Sequence, residues 1–72
     1  MVAGQHNKGN IMEWREINCI IEGFILLIEK YRKQLEIPNI SEDEHSDIAN
    51  DLAYTEILLH KYEIEREKMA AM

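Results

Sequence analysis

The sequence predicts an all-α protein, a two-helix antiparallel hairpin that dimerises into a four-helix bundle. Three observations lead there. Apolar residues recur at spacings of three and four in two stretches; a single proline, set between helix stop and start signals, divides them; and the apolar face of the first stretch is too wide for one partner helix to cover.

Residues 1–10 (MVAGQHNKGN) carry no apolar run and read as a flexible N-terminal arm, without the hydrophobic core of a signal peptide. The hairpin then occupies 11–72, with a helix over 11–36, a turn over 37–41 and a helix over 42–70. In the first helix Trp14, Ile17, Ile20, Ile21, Phe24, Leu27, Ile28, Tyr31 and Leu35 make the apolar stripe. Asn10 is the expected N-cap, with Glu13 three residues later. Lys30, Arg32 and Lys33 fall in the last two turns, where cations complement the helix dipole.

Pro38 lacks a backbone donor and pushes Ile37 out of helical geometry, so the first helix ends near Glu36. Ser41, three residues before Glu44, forms a Ser-x-x-Glu capping box, and Glu42, Asp43 and Glu44 load the first turn of the next helix with negative charge. That helix presents Ile48, Leu52, Leu58, Leu59, Tyr62 and Met69 on one face. The short connection favours antiparallel neighbours.

At about 100° per residue, Arg15, Asn18, Glu22, Glu29, Lys33 and Glu36 gather in one polar stripe of the first helix, with Cys19, Ile25 and Leu26 at its margins. The rest of the circumference is apolar. One partner helix covers a single stripe, and a two-helix chain of this length rarely builds a sufficient core alone. Self-association is therefore expected, with a different protein as the other occupant of the surplus face. The predicted core and dimer residues are Ile17, Ile21, Phe24, Ile25, Leu27, Ile28, Tyr31, Ile48, Leu52, Leu59 and Tyr62. Core use is also the expected role of Trp14.

Composition narrows the functional classes. Fourteen acidic against eight basic side chains give a formal charge of −6, which disfavours direct binding to nucleic acid or an anionic membrane. A lone Cys19 excludes a disulfide-stapled fold and completes no metal-ligand set, which suits the cytoplasm. The most apolar run, Ile17 to Ile28, holds nine apolar residues in twelve but spans only about 18 Å as a helix, short of a bilayer core of about 30 Å.

Two carboxylate elements bear on chemistry. Glu13-Trp-Arg-Glu16 is an ExxE and Glu44-His-Ser-Asp47 an ExxD, with twenty-seven residues between them. Together with the apolar stretch Ile48 to Tyr54, these four positions resemble the all-α nucleoside triphosphate pyrophosphohydrolases of the MazG type. The resemblance implies that these acids hold Mg²⁺ against a triphosphate. Hairpin geometry predicts otherwise: a turn centred near Asn39 sets residue i beside roughly 78 − i, leaving Glu16 near Tyr62 and more than ~20 Å from Asp47. Glu42-x-x-His45 matches the Glu-x-x-His ligand element of di-iron bundles, but capping already accounts for its acids. Glu56, His60 and Glu63 share a helix face, and salt bridges with nearby Lys61 and Arg66 are the commoner cause of such a cluster. No nucleophile elbow or P-loop pattern is present, so neither a catalytic residue nor a metal or cofactor is expected.

The remaining asymmetry is electrostatic. From Ser41 through Glu56 there are six acids (Glu42, Asp43, Glu44, Asp47, Asp51 and Glu56) and no Lys or Arg. A solvated helix face is the ordinary meaning of such a run; a docking surface for a basic protein is the sharper one. The functional expectation is a small non-enzymatic interaction or regulatory protein of inhibitor or immunity type, homodimeric and acting through this patch. A Mg²⁺-dependent hydrolase and a structural subunit of a larger assembly stand as alternatives.

Overall fold

The computed structural model describes residues 13–71. The expected arm at 1–10, the Asn10 cap and the helix start at Ile11 lie outside them. Two helices, α1 (Trp14–Leu35) and α2 (Glu42–Ala71), pack against each other as a hairpin.

Helix α1 is described from Trp14. Glu13, with ψ of 153°, is extended and caps the helix, and its own N–H donates to Glu16 Oε1 at 3.2 Å. Glu13 and Glu16 thus form a capping box. At the other end Glu36 N–H donates to Lys33 O at 3.1 Å and Ile37 N–H to Gln34 O at 3.2 Å. These i→i−3 bonds tighten the last turn before Pro38 stops it. Asn39 follows at φ 66°, so Pro38 and Asn39 have the residue order of a type II turn, with proline second and a positive φ third.

Ser41 starts α2 as expected. Its Oγ accepts the Glu44 N–H at 3.1 Å, while its hydroxyl donates to Glu44 Oε1 at 3.3 Å. The carboxylate therefore returns to the cap's hydroxyl.

The interface runs along Ile17, Ile21 and Ile28 of α1, which are buried to 6 % exposure or less. Phe24, Leu27, Tyr31, Ile48, Leu52, Leu59 and Tyr62 are half-buried around them, as are Ile20, Leu58 and Met69. Phe24 and Tyr62 meet with ring centroids 5.7 Å apart. Within the hairpin Ile25, expected in the core or the dimer contact, is 40 % exposed, and Trp14 is 49 % exposed; at about 100° per residue both point past the flank of α2. Thr55 is the fourth buried residue; its hydroxyl donates to Asp51 O at 2.7 Å, which lets a polar side chain sit in the seam.

The helices are out of the expected register. Asn18 meets Arg66, Phe24 meets Tyr62 and Arg32 meets Glu56, so residue i of α1 lies level with about residue 86 − i of α2 rather than 78 − i. The connection causes the offset. Its non-helical residues advance the chain by about 3.3 Å each, against about 1.5 Å for a helical residue, so a few of them climb as far as two turns of α2 descend. The helices end flush at Trp14 and Ala71, and α2 projects beyond Leu35 at the connection. Residues 41–47 are all exposed.

Candidate functional site

The projecting first turns of α2 carry most of the acidic run. Glu42, Asp43, Glu44, Asp47 and Asp51 are all exposed. Asp43, Asp47 and Asp51 follow one another at i, i+4, and Glu44 lies beside Asp47 and Asp51, so these four share one side of the helix. Glu42 lies off that row. Glu56 leaves the patch altogether: its Oε2 accepts from Arg32 Nη2 at 2.9 Å, an ion pair between the two helices. Chain order alone hid this cation, since Arg32 precedes the acidic run and reaches it only through the hairpin.

The expected cluster of Glu56, His60 and Glu63 with Lys61 and Arg66 also resolves differently. Arg66 Nη1 donates to Asn18 Oδ1 at 2.9 Å, across the helices and partly buried. Asn18 in turn donates through Nδ2 to Trp14 O at 3.0 Å. Arg32 with Glu56 and Arg66 with Asn18 close the same flank of the hairpin, one near each end. No sequence signal singled out Asn18 or Arg66, because each looks like a solvated residue on its own helix.

The two ExxE-type elements are not brought together. Glu16 lies level with about residue 70, which separates it from Asp47 by roughly 35 Å along α2. Among the described residues no group of three or more His, Cys, Asp or Glu side chains is placed to hold a metal ion.

No family model, curated protein or solved structure matches the chain.

Two apolar surfaces stand beside the acidic end. Opposite the closed flank, Ile20, Leu27 and Tyr31 of α1 adjoin Leu58, Tyr62 and Met69 of α2, and all six are half-buried. The surface continues around α1 onto Cys19, Gly23 and Leu26, which are exposed, Leu26 by 62 %. A Cβ placed on Gly23 would meet nothing within 4 Å. A glycine inside a helix costs about 1 kcal/mol relative to alanine, and nothing in the hairpin requires it there. The second surface is on the outer side of α2, where Tyr54, Ile57 and Ile64 are 63 %, 65 % and 40 % exposed. No described helix is long and apolar enough to cross a membrane.

Proposed function

We propose that the chain is a non-enzymatic interaction protein of regulatory, inhibitor or immunity type, acting as a homodimer whose hairpins form a four-helix bundle. The observation that carries self-association is the size of the core. Only Ile17, Ile21 and Ile28 among the apolar side chains of residues 13–71 are buried. A hairpin with so little buried area gains too little from the hydrophobic effect to offset the chain entropy of some sixty residues, and a second copy supplies the missing contact.

In this reading the acidic end takes a basic protein partner. Asp43, Glu44 and Asp47 present their charges from a helical projection clear of α1, and Asp51 continues their row level with the end of α1. A fixed row of like charges raises the association rate of a basic surface and makes it sensitive to salt. Glu56, held by Arg32, contributes less.

Light scattering during size-exclusion chromatography tests the dimer. The expected mass is twice 8.5 kDa at both low and high salt. A monomer sinks the proposal, and a heterogeneous aggregate favours a subunit that completes its fold only in a larger assembly. For the acidic end, the wild-type chain is expected to retain a basic protein at low salt and to lose it in high salt. Asp47→Lys with Asp51→Lys should lose it at unchanged helix content. Retention by that double variant would show that these acids are merely solvated.

A further inference from the structure

We infer that the second copy docks antiparallel on the α1 face centred on Gly23, with that glycine at the two-fold axis. The inference rests on the homodimer proposed above and names its contact. It begins from the face that the hairpin leaves open: Cys19 and Leu26 exposed, Ile20 and Leu27 half-buried, and open space over Gly23 between them. A missing side chain inside a helix is useful where another backbone comes close, and among the described residues none does.

The charges flanking this face select a second copy over an unrelated helix. At about 100° per residue Glu16, Gly23 and Lys30 lie within some 20° of one line along α1. Glu16 stands seven residues before Gly23 and Lys30 seven residues after it. An antiparallel pair with its axis at Gly23 sets residue i level with 46 − i of the other copy, so Glu16 meets Lys30 twice, once on each side of the axis. In the same register Cys19 packs against Leu26 on one side of the contact line and Ile20 against Leu27 on the other, filling the space between the charges and the axis. Opposed helix dipoles favour the same orientation. A parallel pair would instead stack Glu16 on Glu16 and Lys30 on Lys30.

The open groove lined by Leu26, Glu29, Lys30, Lys33, Gln34 and Ile37 extends the face toward the end of α1. Across α2, the half-buried Leu58, Tyr62 and Met69 edge adjoins it, so docking here also covers the margin of the hairpin seam. The closed flank with its Arg32–Glu56 and Asn18–Arg66 contacts stays outside, and so does the acidic projection.

Disulfide trapping tests the register. Leu26→Cys in the full chain gives Cys19 a thiol partner in the other copy, while the two positions within one helix are about 10 Å apart and cannot bridge. Mild oxidation should convert most of this variant to a covalent dimer on a non-reducing gel, and adding Cys19→Ser should abolish the band. Wild-type chain should remain unlinked, because its two Cys19 residues are about 12 Å apart along the axis. A dimer by light scattering that fails to trap, or a wild-type chain that traps as readily, overturns this face while leaving the dimer standing; a wild-type monomer removes both.

Two further variants do not depend on trapping. Gly23→Leu meets nothing within its own hairpin but holds a second backbone away, so the mass should fall to that of a monomer and helix content should fall with it on dilution; a persistent dimer refutes the axis. Lys30→Glu should weaken the dimer by roughly tenfold, and Glu16→Lys added to it should restore most of that loss. Because Glu16 also accepts the Glu13 N–H, helix content is followed alongside: failure of the restored pair to recover at unchanged helix content would show that Glu16 and Lys30 do not meet.

Discussion

Ile17 is fully buried, alone among the described side chains, and it lies one turn into α1 where Asn18 and Arg66 close the flank beside it. Ile17→Ala removes its packing from a seam with few other anchors, and the expected loss is about 2–4 kcal/mol in urea unfolding followed by circular dichroism. Asn39 is a different kind of key residue. At φ 66° a side chain with a Cβ is strained, and asparagine tolerates that region better than alanine does. Asn39→Ala should destabilise the hairpin by about 1 kcal/mol and Asn39→Gly by less, measured in the same unfolding experiment. Thr55 donates to a carbonyl that the helix ladder also uses, so Thr55→Val should change stability by less than about 1 kcal/mol despite its burial.

Each helix is bounded by chemistry local to its ends. Ser41 closes the start of α2 through the Glu44 N–H, and Ser41→Ala is expected to cost about 1 kcal/mol and to raise amide exchange over Glu42 to His45. The Arg32–Glu56 pair joins the elements near the connection, with side chains 63 % and 46 % exposed. Solvent screens a pair that open, so Arg32→Gln should lower the unfolding midpoint by the equivalent of no more than about 0.5 kcal/mol at moderate salt. The helices differ in how they spend their apolar residues. Those of α1 form one broad arc, whereas α2 has a stripe toward α1 and a second group, Tyr54, Ile57 and Ile64, on its outer side. A helix that is apolar on two sides belongs in a layered assembly more than at the edge of an isolated hairpin.

For the whole molecule, the balance of a very small core against a wide apolar surface decides what can be stable. If two copies share that surface, folding is coupled to association, and the thermal midpoint should rise with protein concentration over a hundredfold dilution series. A midpoint independent of concentration would mean that the hairpin stands alone. The register offset shapes the molecule in a second way. By carrying the start of α2 clear of α1, it turns an acidic run into a projection that is accessible from several sides.

The helices, the connection and the Ser41 cap were legible in the sequence because each depends on residues within a few positions of one another: apolar spacing, a proline, a Ser-x-x-Glu. The acidic run was legible too, as composition. Tertiary structure alone decided which acids stay together, since Arg32 removes Glu56 from the row and comes from the other helix. It also exposed Trp14 and Ile25, buried Thr55 and joined Asn18 to Arg66. All of these follow from the register between α1 and α2. That register depends on how far a few non-helical residues advance the chain and on which side chains then interlock, and neither quantity is written in the periodicity of a single helix.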